Sequence, residues 1–150
     1  MTGWRRGTDR AYAYIASLFM LGVFVQFFLA GVGVFGDHAS KVQNASSLDP
    51  HRALGNVLGA IALILLILAL VTRESGKTML WTFVLALLTV IAQPALAGGG
   101  ENNKWVGGLH AFDGVLILVL GGVMTRFAHQ REAARRRGTA PAADAAPAAG

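Results

Sequence analysis

A side-chain amide and an imidazole recur as a pair along this chain. Gln26 opens QFFLAG and is followed, across a loop, by His51 in HRALG; Gln93 opens QPALAG and is followed by His110 in HAFDG. The shared pattern is QxxLAG, then HxxxG. Its weight lies in the polar residues, because Leu, Ala and Gly are common in any apolar chain. Neutral imidazole is a metal ligand and a proton carrier. Two histidines on facing helices are what a six-coordinate b-type haem requires, and a glycine one turn after each (Gly55, Gly114) leaves space on the face where the ring points. Gln26 and Gln93 are suited to hydrogen-bond the ring nitrogens and so set the tautomer. The candidate site is therefore His51 and His110 as metal ligands, with Gln26, Gln93, Gly55, Gly114 and Arg52 around the cofactor. Arg52, Lys41 and Lys104 are the cations available to haem propionates.

The elements that must position these residues are membrane helices. Of 150 residues 54% are hydrophobic and only 14% charged, and the mean hydropathy is +0.52, too apolar for an ordinary soluble domain of this size. Four apolar runs, at 11–35, 53–72, 78–97 and 109–128, each approach the about 20 residues that cross a bilayer core as a helix. The expected fold is all-α: an integral membrane four-helix bundle made of two repeated helical hairpins. It divides the chain into an N-terminus at 1–10, a transmembrane domain at 11–128, and a tail at 129–150 that is basic, then rich in Ala and Pro, with little to pack. Little chain remains for a water-soluble catalytic domain. The absence of cysteine removes disulfides and thiolate metal sites.

Positive charge sets the orientation. Ten of the 13 Lys and Arg lie in the N-terminus, the 73–77 loop and the C-terminal region, against Lys41, Arg52 and Lys104 in the two other loops. Both termini are then cytoplasmic in a multi-pass protein of the inner (plasma) membrane, and both Gln–His pairs fall on the outer side. The net charge of +5 follows from membrane topology rather than from nucleic-acid binding. The initial apolar run is too long for a cleaved signal segment and reads as a retained helix. Trp4 and Trp105 suit the headgroup level. Asp49 and Pro50 form a helix start that puts His51 in the first turn. The sequon at Asn44 carries no weight, since three-residue patterns recur by chance.

Each polar residue sits in a stripe of small ones: Gly22, Ala30 and Gly33 around Gln26; Gly55, Gly59 and Ala62 around His51; Ala86, Thr89 and Ala97 around Gln93; Gly114 and Gly121 around His110. Such stripes also serve close helix packing in lipid. Asp113, three residues after His110, is an intramembrane acid and so a functional candidate; Leu54 stands in its place in the first copy. A zinc site would need Asp113 as third ligand beside the histidines. Asn56, Thr82 and Thr89 read as packing residues, His38 and His129 as solvated ones.

QFFLAG with GVGVFG, HRALGNVLG, QPALAG and LHAFDGVLILVL resemble a family of small bacterial four-helix membrane proteins of unknown function, over 12–124. That resemblance implies fold and membrane location. More distantly, the duplicated hairpin is similar to one half of haem A synthase and to other haem-binding bundles, which implies His51 and His110 as haem ligands. The chain has one bundle rather than two, no loop cysteine pair and no matching loop acid, so what it shares with haem A synthase does not include the groups for haem modification. The leading expectation is a small b-type cytochrome or haem carrier with the lipid bilayer, a membrane redox partner and a second copy of itself as candidate partners. The alternative is a non-catalytic accessory or structural protein whose polar layer locks helix packing. A reporter active only in the cytoplasm, fused at either terminus or at 73–77, is expected to be active, and inactive at 40–47; the opposite pattern would reverse the orientation.

Overall fold

The computed structural model describes residues 3–39, 48–71 and 76–138, and within them all side chains but those of 3–6, 37–39 and 135. Lys41 and the sequon lie outside the described residues, as does the His38 side chain. The described chain is helical: α1 (Gly3–Ala39), α2 (Asp49–Val71), α3 (Gly76–Leu87), a π-helical turn (Leu88–Ala92), α4 (Gln93–Gly100) and α5 (Lys104–Gly138). Because α3, the π turn and α4 run on as one rod, the molecule has four helices long and apolar enough to cross a membrane, Gly7–Gly36, Asp49–Val71, Gly76–Gly100 and Lys104–Gly138.

Packing follows a seam of inward residues spaced four, three and four apart. Tyr12, Ala16, Phe19 and Val23 form it on α1, and Leu58, Ala62, Leu65 and Ala69 on α2. Thr82, Leu85 and Thr89 continue it on the third rod, and Asp113, Ile117, Met124 and Ala128 on α5. This spacing interlocks neighbouring helices at shallow crossing angles. The helices form a ring in which α1 lies between α2 and α5, and the third rod closes the other side, so α2 and α5 face each other across the diagonal. The small residues act as expected: Gly22 lies under Leu58, Gly59 faces Val90, and Gly121 receives Phe19 and Met20. Outward positions are apolar, with Phe24, Phe28, Leu70, Trp81, Val119 and Phe127 each at least half exposed, the pattern of a surface that meets lipid.

Several boundaries differ from the pattern read in the sequence, beginning with α1, which starts at Gly3 and ends at Ala39 instead of spanning 11–35. The turn before the last helix, expected over 98–108, contracts to Glu101–Asn103: the glycine triplet stays helical, and the Asn103 side chain accepts the Trp105 N–H at 3.0 Å, starting α5 early. His110 thus sits in the second turn of α5, and His51 in the first turn of α2. α5 also runs on to Gly138, so the tail expected from 129 is helical over its first ten residues, while 139–150 lie outside the described residues. There it docks on α1. Thr125 donates to the Ala16 carbonyl at 3.2 Å, Ser17 pairs with His129 Nε2 at 2.8 Å, and Glu132 accepts from Arg10 at 3.3 Å and from Arg136. His129 is therefore bonded to another helix rather than merely solvated. Thr82 also spans helices, pairing with Tyr12 at 2.8 Å.

The third rod is broken at the position that matters most. Pro94 has no N–H to give the carbonyl one turn back, and the helix widens just before it, with the Gln93 N–H reaching the Leu88 carbonyl five residues back. The extra residue turns Gln93 relative to a continuous α-helix. At the following turn the backbones of Gly100 and Gly107 nearly touch: a Cβ on Gly100 would lie 2.9 Å from the Gly107 Cα, whereas one on Gly107 would find nothing closer than 3.7 Å. Gly100→Ala is therefore expected to destabilise the protein by about 1–3 kcal/mol in detergent unfolding, as overpacking against backbone does. Gly107→Ala should be neutral; equal losses would contradict this close approach.

Candidate functional site

Both Gln–His pairs form the same structure. In the first, the Gln26 amide Nε2 donates to the backbone carbonyl of His51 at 2.9 Å, and His51 Nδ1 lies 3.1 Å from the backbone carbonyl of Gln26. In the second, Gln93 Nε2 donates to the His110 carbonyl at 3.1 Å, and His110 Nδ1 lies 3.1 Å from the Gln93 carbonyl. Each pair is a reciprocal clasp in which side chain bonds backbone in both directions, tying α1 to α2 and α4 to α5. The carbonyls already serve their own helices and use a second lone pair here.

The glycine of HxxxG is where the partner amide docks. A Cβ on Gly55 would lie 3.2 Å from Gln26 Nε2, and one on Gly114 would lie 3.6 Å from Gln93 Nε2 and 3.4 Å from the Phe27 ring. The space read in the sequence as room for a cofactor is thus bordered by the clasping glutamines and by Phe27.

The clasps also settle the tautomers. A carbonyl oxygen can only accept, so both Nδ1 atoms carry hydrogen, and in a neutral ring Nε2 must then be the lone pair. The two rings meet across the bundle diagonal, with centroids 6.3 Å apart and planes inclined at 71°. Two neutral imidazoles therefore lie together at the end of the bundle where α2 and α5 begin. They are not alike. His51 Nε2 is 3.3 Å from the second N–H of Gln26. No such bond reaches His110 Nε2 among the described residues, where the Gln93 amide bonds the His110 carbonyl.

Asp113 is buried at 4% exposure, and its Oδ2 has no hydrogen-bond partner; Gln26 Oε1 is likewise buried and unpartnered. Such atoms are costly in a bilayer interior and mark this layer as the polar centre of the bundle. At the rim, Arg52 reaches Asp49 at 3.5 Å and Glu101 at 3.8 Å, and Lys104 lies 5.8 Å over the Trp105 ring. Among the described residues no group of three or more His, Cys, Asp or Glu side chains is placed to hold a metal ion, which overturns the zinc alternative with Asp113 as third ligand. The structure thus brings together His51, His110, Gln26, Gln93, Gly55 and Gly114, with Arg52 at the edge. Phe27 was missed, because it reads as lipid-facing in any apolar run.

Fold and site define a four-helix membrane protein with a duplicated Gln–His clasp. The chain belongs to a family of unknown function, DUF6220, whose profile matches residues 26–100, half of the chain, from the first glutamine of the repeat to the last glycine of α4. No curated protein and no solved structure matches it.

The contact between Gly55 and Gln26 can be isolated by a double-mutant cycle. Gly55→Ala should be more favourable by about 1 kcal/mol in a Gln26→Ala background than in the native protein, since the added methyl then meets no amide. Additive effects on detergent unfolding would mean that the amide does not dock there.

Proposed function

We propose that the protein is a small b-type membrane cytochrome, or haem carrier, with His51 and His110 as the two axial ligands. The observation that carries this reading is the approach of the His51 and His110 rings from diagonal helices. Two imidazoles sharing one ion, each with a metal–nitrogen bond of about 2.0 Å and about 1.1 Å more to its ring centre, would have centroids about 6.2 Å apart. The observed 6.3 Å is close to that spacing. Direct hydrogen bonding between the rings is an unsuitable alternative, since neither Nε2 has a proton to give while both Nδ1 atoms are committed to carbonyls.

Iron held this way would supply one-electron chemistry, and the chain's residues would set its surroundings. Gln26 and Gln93 hold the rings in the ligating tautomer through their carbonyls. Holding a macrocycle there would require the Gln26 amide to leave His51 and the Phe27 ring to turn off Gly114. Phe27 is 38% exposed and borders open surface, so it has room to turn. Arg52 and Lys104 stand at the same end for propionates. The positive-inside asymmetry of the sequence supports an outer-side position for this end, where a membrane redox partner would meet it.

The clasps favour one other reading. In lipid, interhelical hydrogen bonds to backbone can fix helix register with no cofactor, each contributing about 0.6–2 kcal/mol. The protein would then be a non-catalytic accessory whose polar layer sets hairpin geometry. Absorbance separates the two. A haem protein purified in detergent should show a Soret band and sharp bands on reduction, and His51→Ala and His110→Ala should each abolish the six-coordinate low-spin spectrum. A colourless protein after haem supplementation would exclude the cytochrome and leave the packing role.

A further inference from the structure

Arg126 is a charge on the side of α5 that turns away from the bundle. Met124 and Ala128 are buried in the seam, and Arg126 stands two residues from each, about 200° around the helix. It is exposed, with Val119, Val123 and Phe127 exposed on the same side. Arg131 marks the rim at this end, where it donates to Thr78 Oγ1 at 3.1 Å in the first turn of α3. Arg126 lies five residues, about 7.5 Å, nearer the middle of the bundle. A lipid-facing charge at that depth is costly unless an anion neutralises it. The chain supplies none: among the described residues Arg126 has no hydrogen bond or ion pair, whereas Arg10, Arg131 and Arg136 are all bonded.

We infer that Arg126 binds the phosphate of an anionic phospholipid of the adjoining leaflet, with an acyl chain of that lipid along α5. The guanidinium presents a fork of donors matched to two phosphate oxygens. An anionic headgroup leaves that phosphate without the ammonium that offsets it in a zwitterionic one. Gln130, exposed and one turn nearer the rim on the same face, has an amide to add. In the other direction Val115, Val119 and Val123 are exposed and give the chain an apolar track. Polar and apolar groups thus follow one another along the helix in the order of a lipid's own parts. A second copy of the protein fits less well. The described carboxylates at this end, Asp9 and Glu132, are engaged within the chain, so a copy brings Arg126 no free acid at its level. The site is independent of the histidine layer and of any haem.

Native mass spectrometry of the full chain in detergent, titrated with phosphatidylglycerol or phosphatidylcholine, reads this site. Phosphatidylglycerol should bind at least about fivefold more tightly, the worth of one arginine beside an anionic headgroup. Arg126→Ala should remove that preference. Arg137→Ala, which takes a cation from the same face about 16 Å farther along the helix, should change it by less than about twofold. Because Arg126 faces outward, its variant should keep the native circular dichroism; if Arg126→Ala unfolds, Arg126→Gln, which removes only the charge, must lose the preference instead. No preference in the native chain, a preference that survives loss of the Arg126 charge, or equal losses from Arg126→Ala and Arg137→Ala, the mark of diffuse attraction, would overturn the inference. So would dimers that Arg126→Ala dissociates without change in lipid binding, which would assign Arg126 to a second copy, and full competition by inorganic phosphate, which would leave the apolar track no part in binding.

Discussion

The reciprocal bond between a glutamine and a histidine on successive helices is the interaction on which the rest of this structure depends. In a bilayer, apolar side chains gain little by leaving lipid for one another, so helix association relies on close packing and on hydrogen bonds. The clasp uses both. Its four bonds, two at each hairpin, lie between 2.9 and 3.1 Å and run between side chain and backbone in both directions. A glycine in each histidine helix lets the amide lie against the backbone. Once the Nδ1 hydrogens are committed to carbonyls, the chemistry of the neutral rings is settled as well: each must carry its lone pair at Nε2.

The copies are related but not interchangeable. α1 passes through Gln26 without a break, whereas the third rod widens into a π turn before Gln93 and Pro94. The hairpin loops differ in length, the second closing in three residues through the touching glycines at Gly100 and Gly107. The π turn restores what the tighter hairpin disturbs: it rotates Gln93 so that its amide and carbonyl meet His110 as those of Gln26 meet His51. Asp113 then adds a carboxyl to one copy only. A duplicated scaffold with one altered neighbour is a simple route from two identical imidazoles to a site whose halves differ.

At the other end of the bundle, polar contacts join α1 to α5 and each of them to α3, through Tyr12 with Thr82 and Arg131 with Thr78. Ser17 with His129, Arg10 and Arg136 with Glu132, and Thr125 with the Ala16 carbonyl align the two longest helices. Those helices, 37 and 35 residues long, exceed what an about 30 Å hydrocarbon core requires, so these contacts continue the pairing toward water. The bundle is thus tied at both ends by polar groups and filled between them by the four-three-four seam.

Fold class, the four spans, the duplication and the identity of the paired residues were legible in the sequence alone, because hydropathy over about 20 residues and the recurrence of rare polar residues in apolar runs are local signals. The diagonal approach of His51 and His110 followed from hairpin symmetry and is present. The expected use of Gly55 and Gly114 was incomplete, since a glycine marks where something comes close but not what, and here the nearest groups are the glutamine amides and Phe27. The extent of α5 was misjudged because a basic, alanine-rich stretch folds as helix only when a neighbour such as α1 supplies partners. Only the tertiary structure decided the tautomers, the π turn and the docking of the glutamine amides on Gly55 and Gly114. Each depends on distances between atoms far apart in the chain, and a hydrogen atom's direction is set by the acceptor it meets in space, which no spacing along a sequence records.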